Sequence, residues 1–94
     1  MSFFVYMLAS GRNGTLYISM TDNLARRVWE HQTGVVAGFT KRYGVKTLVW
    51  YEVHDSRETA FQRERQLKKW NSAWKIQLIE RLNPSWRDLA HELI

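Results

Sequence analysis

Two runs of β type open the chain. Residues 3–9, Phe3-Phe4-Val5-Tyr6-Met7-Leu8-Ala9, and residues 15–20, Thr15-Leu16-Tyr17-Ile18-Ser19-Met20, flank the polar break Ser10-Gly11-Arg12-Asn13-Gly14. Glycine and asparagine favour a tight reversal, so the pattern predicts a hairpin with Tyr6 and Tyr17 on neighbouring strands and the register open. The ordinary reading of such a pair is cross-strand packing, which contributes roughly 0.2–1 kcal/mol.

Beyond the hairpin the hydrophobic period lengthens. With Thr21 or Asp22 as cap, residues 23–32 predict a helix that stops near Gly34. At ~100° per residue, Leu24, Ala25, Val28 and Trp29 form its apolar arc, Arg26 and Glu30 lie roughly opposite, and Arg27 and His31 stand one above the other at the rim. Residues 34–45 predict a loop of twelve residues, either functional or a surface loop with two aromatic anchors. Its Lys41 and Arg42 lie between Phe39 and Tyr43, the mixture of cation and ring that holds flexible nucleic-acid strands.

A third strand is expected over residues 46–54, ending on His54 as a surface residue. Asp55 or Ser56 then caps a helix to about Trp70 with Ala60, Phe61, Leu67 and Trp70 as its buried stripe. Asn71 or Ser72 starts another, residues 73–82, with Trp74, Leu78, Ile79 and Leu82 inward. Pro84 interrupts it, and Ser85-Trp86-Arg87-Asp88 reads as a capping box for a short last helix that turns Leu89 and Leu93 inward. The order is β, β, α, β, α, α, α, without internal repeat or linker. One residue breaks the pattern: Glu64 falls on the apolar stripe between Ala60 and Phe61. Desolvating a carboxylate costs several kcal/mol unless something compensates, which leaves a buried ion pair with a nearby Arg or Lys, or a metal.

Composition narrows the picture. A chain of 94 residues that is 45% hydrophobic is expected to form one domain over residues 1–94, with a core over about 3–80 and a helical extension at 84–94. The absence of cysteine excludes disulfides, zinc-thiolate sites and thiol catalysis. The N-terminal residues lack a basic signal-peptide start and no run approaches the ~20 apolar residues of a membrane span, so a soluble, cytoplasmic protein is expected. Fourteen Lys and Arg against nine Asp and Glu give a net charge of +5, which suits a polyanionic partner, though a solvated surface carries such charge equally well.

The candidate chemistry then gathers into a set. Two tyrosines on a hairpin, Arg27 and His31 on a helix rim and Glu64 on another helix are the groups that metal-assisted phosphodiester cleavage requires: a carboxylate for a hard cation, a positive charge for the phosphate, and hydroxyl or imidazole groups to orient and deprotonate water.

Phe4-Val5-Tyr6 and Tyr17-Ile18-Ser19, with ten residues between them, resemble the two signatures of the GIY-YIG nuclease superfamily. Thr21-Asp22-Asn23-Leu24-Ala25-Arg26-Arg27-Val28 is similar to the family's arginine-bearing helix, and Glu64 stands where the family keeps its metal-binding glutamate. Gly38-Phe39-Thr40 and Lys68-Lys69-Trp70 are similar to segments of the small standalone bacterial members, of the UPF0213 type and akin to the N-terminal domain of the nuclease component of bacterial excinuclease. The resemblance spans about residues 3–80. It implies an α+β fold, a three-stranded antiparallel sheet flanked by helices. It implies one divalent ion, Mg²⁺ or Mn²⁺, held by Glu64, with Tyr6 and Tyr17 positioning or deprotonating water and contacting the scissile phosphate. Arg27 would stabilise the phosphate charge, and His31 matches a histidine that some members use beside it. The family's Asn after the glutamate finds only Asn71, at a shorter spacing.

Two positions depart from the signatures: Phe4 stands in place of Gly, a common variation, and Ser19 replaces the second signature's Gly, where a side chain can obstruct positive φ or close approach. The expected function is a metal-dependent endonuclease acting on DNA in repair or recombination. The alternative is a weak or inactive nucleic-acid-binding module disabled by Ser19, holding phosphates through several of Arg63, Arg65, Lys68, Lys69 and Lys75; in either reading Lys41, Arg42, Arg63 and Lys68 are the expected nucleic-acid contacts. A protein adaptor using a tryptophan-rich surface is a third reading. With no room for a separate DNA-binding domain, a nuclease of this size takes its specificity from nucleic-acid structure or from a protein partner.

Overall fold

The structure, a computed structural model, describes residues 2–35 and 38–93; Val36 and Ala37 of the expected loop lie outside them. Strands β1 (Phe3–Ala9) and β2 (Leu16–Thr21) form the hairpin, and β3 (Thr47–His54) pairs with the other side of β1, giving an antiparallel sheet in the order β2-β1-β3. Helix α1 (Leu24–Thr33) and a short helix α2 (Phe39–Arg42) precede β3. Helices α3 (Arg57–Lys69) and α4 (Ser72–Leu82) follow it, and a 3₁₀ helix, Leu89–Leu93, closes the chain. The architecture is α+β with helices on both faces of the sheet.

The hairpin register settles which side chains share a face. Tyr6 stands opposite Ser19 and Leu8 opposite Tyr17, so Tyr6, Leu8, Tyr17 and Ser19 all project from one face. That face packs Tyr6 and Leu8 against Leu24 and Val28 of α1 and Leu89 of the 3₁₀ helix. The other face buries Val5, Met7, Ala9 and Ile18 against Ala60 and Leu67 of α3 and Ile79 of α4. The turn is shaped by Gly14, where a Cβ would come within 2.3 Å of Ser10 Oγ.

Opposite β1, the register of β3 shifts between Met7 and Leu8, which face Trp50 and Leu48, leaving Val49 as an extra residue. Asn83, 1% exposed, donates through Nδ2 to the Val49 carbonyl at 3.1 Å and to the Arg87 carbonyl at 2.8 Å. Asp88 accepts from the Leu48 amide at 3.2 Å. The segment after Pro84 is thereby fastened to the bulged strand, and residues Leu89–Leu93 form 3₁₀ rather than α turns, with Leu89 buried and Leu93 half-buried.

Several local expectations need correction. Helix α1 is capped by Asn23, whose Oδ1 accepts from the Arg26 amide, rather than by Thr21 or Asp22. Thr21 belongs to β2, and its Oγ1 takes the Asn23 amide and completes the turn first. The loop after Gly34 contains α2. Trp29, Ala25, Phe61, Trp74 and Leu82, expected inward, are exposed, because each helix rests on a three-stranded sheet by one narrow stripe. Trp50 and Trp86 are buried, whereas Trp29 and Trp74 sit on helices on opposite faces of the sheet, so the tryptophans form no single surface. No helix among the described residues is long and apolar enough to cross a membrane.

Candidate active site

The site grows from the middle of β1. Tyr6 is 0% exposed, its ring held between Leu24, Val28 and Leu8, and its hydroxyl lies 3.3 Å from His31 Nε2. His31, one turn beyond Arg27 on α1, is 2% exposed, and its Nδ1 lies 3.0 Å from Thr40 Oγ1 on α2. Arg27 lies close enough to Tyr6 for its charge to act on the phenol, and it donates to Glu30 Oε1 at 3.2 Å, with its side chain 38% exposed. Arg27 is therefore the part of this cluster that meets solvent.

Ser19 lies beside the cluster without backbone strain. Its backbone is ordinary extended strand, since the non-glycine residues at positive φ among those described are Asn13 and Trp86. Its hydroxyl is within hydrogen-bonding reach of Tyr6. Burial pushes the Tyr6 phenol above its ordinary pKa, the neighbouring Tyr17 adds to this, and bonds from Ser19 and Arg27 pull partly back. Burial, then the nearby Arg27 charge, hold His31 below the usual histidine range against the pull of Glu30. Burial also works against the Arg27 charge, but Glu30 and Tyr6 more than offset it. At neutral pH the site therefore holds a neutral phenol, a neutral imidazole and a charged guanidinium.

Tyr17 forms the outer layer, with its ring 5.4 Å from that of His31 and stacked on Phe39 at 6.3 Å. Phe39 in turn packs on Tyr43 at 4.9 Å, and Arg42 lies over the Tyr43 ring. Lys41 and Arg42 border a hollow of about 570 Å³ here. A second hollow, about 330 Å³, is lined by Leu16, Tyr17, Ile18, Phe39, Lys68 and Lys75. Since Tyr17 and its neighbours Leu16 and Ile18 project from opposite faces, this hollow opens at the free edge of β2. A third, about 260 Å³, lies beyond Ser19 and is lined by Thr21, Asp22, Asn23, Arg26, Arg27 and Glu30.

Glu64 comes from the other layer. It lies on α3 between buried Ala60 and Leu67, its side chain 13% exposed, and its Oε1 is 3.6 Å from Lys68 Nζ. Helix α3 packs on β1 and β2, and Lys68 continues to the edge hollow that Tyr17 also lines. Thus Tyr6, Tyr17, Arg27 and His31 are gathered on one face, while Glu64 lies on α3, which packs on the opposite face. Arg63 is not brought there: it donates to Glu52 on β3 at 3.1 Å and to Gln66 at 2.8 Å, and lies over Trp70. Asn71 caps α4 by accepting from the Trp74 amide.

Sequence reasoning overlooked two partners in this site. Glu30, three residues from Arg27, carried a spacing signal for its ion pair. Thr40 stood out only within the family-like segment Gly38-Phe39-Thr40, and nothing in the spacing tied it to His31, because that contact depends on the unforeseen α2.

A comparison with protein families matches residues 2–77 to the GIY-YIG catalytic domain. The chain belongs to the GIY-YIG family. A UPF0213 protein of Natronomonas pharaonis is 38% identical over 81% of this chain and 88% of its own length. Another, from Syntrophus aciditrophicus, is 39% identical over 86% and 92% respectively. The solution NMR structure of a UPF0213 protein from Bacillus halodurans superimposes with a TM-score of 0.58 at 27% identity, over 94% of this chain and 93% of that one. Membership supports a nuclease-like function with a nucleic-acid substrate, in a GIY-YIG family whose nuclease domains typically depend on a divalent metal. The relatives' names state no activity.

Proposed function

We propose that the protein is a metal-dependent endonuclease that hydrolyses DNA phosphodiester bonds, in DNA repair or recombination. The observation that carries this reading is the convergence of Tyr6, Arg27 and His31 in one cluster, with Tyr6 hydrogen-bonded to His31 and Arg27 meeting solvent, flanked by hollows bearing Lys68, Lys75 and Arg26. Such an arrangement suits an anionic strand laid along the edge, with Phe39 and Tyr43 as stacking surfaces and Lys41 and Arg42 as phosphate contacts.

The donor set is compatible with Mg²⁺ or Mn²⁺. No three His, Asp or Glu side chains among the described residues are close enough to cage an ion, but Mg²⁺ commonly keeps its waters and takes one or two carboxylates plus substrate phosphate. Glu64 would hold it, and the Lys68 contact is no barrier, since an i,i+4 pair contributes only about 0.3–0.5 kcal/mol. The bound ion would supply Lewis-acid stabilisation of the phosphate charge.

The chain's own groups act as follows. Arg27 exchanges part of its bonding to Glu30 for a phosphate oxygen and so uncovers the Tyr6 hydroxyl beneath it. Tyr17 orients water at the mouth of the cleft, and Tyr6 receives the proton as water attacks phosphorus. Being neutral, Tyr6 acts by passing its own proton on rather than as a resting phenolate.

The test is cleavage of single-stranded, nicked, branched and duplex DNA with Mg²⁺ or Mn²⁺ against a chelator control. Metal-dependent cutting of at least one substrate is expected. Binding without cutting on all of them, with cutting gained by Ser19→Gly, would replace this reading by that of a noncatalytic binding module.

A further inference from the structure

The hydrogen bonds behind Tyr6 have a direction that the atoms themselves dictate. A guanidinium can only donate, so the Arg27 charge beside Tyr6 favours the phenol oxygen as an acceptor on that side. The single phenol proton is then best placed toward His31 Nε2, 3.3 Å away, because an imidazole nitrogen is a stronger acceptor than the Ser19 hydroxyl, which can donate instead. If Nε2 accepts, a neutral imidazole must carry its proton on Nδ1, and the atom facing Nδ1 is Thr40 Oγ1 at 3.0 Å. Thr40 is 3% exposed on a helix of four residues, and no buried side-chain polar atom among the described residues lacks a partner. The chain therefore runs from Tyr6 through His31 to Thr40, both bonds pointing inward, with the Arg27 charge at its outer end.

We propose that Thr40 is a positioning residue that holds His31 in the Nδ1–H tautomer and so leaves Nε2 free to receive the proton of Tyr6. The assignment of a role in the reaction rests on the function proposed above; the tautomer does not. As the Tyr6 oxygen takes a proton from the attacking water, the O–H bond of Tyr6 breaks and that proton forms a new N–H bond at Nε2. His31 becomes an imidazolium whose Nδ1–H is still bonded to Thr40, and the hydroxide equivalent bonds to phosphorus as the scissile P–O bond breaks, its departing sugar oxygen taking a proton from solvent. Without Thr40 the ring is free to take the Nε2–H tautomer, in which Nε2 cannot accept and Tyr6 has nowhere to send its proton.

The experiment is long-range ¹H–¹⁵N correlation of the His31 ring at neutral pH in the whole protein, with Thr40→Val and Thr40→Ser beside wild type. Wild type and Thr40→Ser should show Nδ1 protonated and Nε2 bare, whereas Thr40→Val, which keeps the shape and loses the oxygen, should move the ring toward Nε2–H. On whichever substrate is cut, Thr40→Val should lower kcat about ten- to a hundredfold, a partial loss of the roughly 10²–10⁴-fold that a positioned proton acceptor contributes, and Thr40→Ser should restore most of it. An Nε2–H tautomer in wild type, or an unchanged tautomer in a folded Thr40→Val, would overturn the proposal even in a protein that cuts DNA. Absence of cleavage together with the Nδ1–H tautomer in wild type would overturn the nuclease reading and leave the tautomer assignment standing.

Discussion

Replacing Tyr6 by Phe removes one oxygen from the centre of the cluster and leaves the ring in place. The cavity is negligible because the hydroxyl is already surrounded, so the stability cost comes from the partners. Arg27 keeps Glu30 at 3.2 Å, but His31 Nε2, on a residue 2% exposed, loses its hydrogen-bond partner. An unsatisfied buried nitrogen costs about 1–3 kcal/mol, and the lost phenol burial offsets part of that. A net loss of about 1–2 kcal/mol should lower Tm by about 4–8 °C per kcal/mol, read by thermal unfolding with circular dichroism. The effect on catalysis should be larger. Loss of a positioned acid–base group typically slows a reaction 10²–10⁴-fold, which is about 3–5 kcal/mol of barrier. Single-turnover cleavage at a temperature well below both transitions separates the two effects. A folded Tyr6→Phe variant that cuts within threefold of wild type would refute the proton route through Tyr6.

Two other outcomes follow from the same geometry. Because burial lowers the His31 pKa beneath the ordinary ~6.5, the unfolded chain takes up a proton that the folded one refuses; stability should be full above about pH 6.5 and fall as pH drops through that value toward the folded pKa, and the acid limb of kcat/KM should lie below the ordinary histidine range. A limb above pH 7 that disappears in His31→Gln would contradict this. Ser19→Gly should leave the cleavage rate within a few-fold and cost about 0.5–1 kcal/mol of stability, since Ser19 lies in regular strand and glycine weakens a strand interior; a large gain in rate would show the serine to be an obstruction.

Much of this arrangement was legible in the order of residues. The β-type runs at residues 3–9 and 15–20 around a polar break located the hairpin, and the caps Ser56 and Asn71 stood among those expected. Glu64 was recognisable because a carboxylate interrupts the stripe of Ala60 and Leu67, and it does lie there with a Lys68 partner. Helical phase failed for Trp29, Phe61, Trp74 and Leu82, because phase gives direction and not the width of the surface opposite, which here is only three strands. The hairpin register, which puts both tyrosines on the α1 face, depends on a turn closed by Ser10 and Thr15 and was undecidable from alternation alone. The Thr40 contact is a tertiary coincidence of α1 and α2, and no local spacing encodes it.

The central claim is that the two layers of the site act together, Glu64 from α3 and the tyrosine–arginine–histidine cluster from the opposite face. The most direct measurement is metal-titrated cleavage of a labelled DNA substrate by wild type and by Glu64→Gln, with DNA binding followed in parallel. Cleavage that saturates with Mg²⁺ or Mn²⁺ in wild type and falls at least a hundredfold in Glu64→Gln, with DNA binding and thermal stability largely kept, is the predicted result. Equal cleavage by the two proteins, or cleavage by wild type indifferent to chelator, would contradict the account.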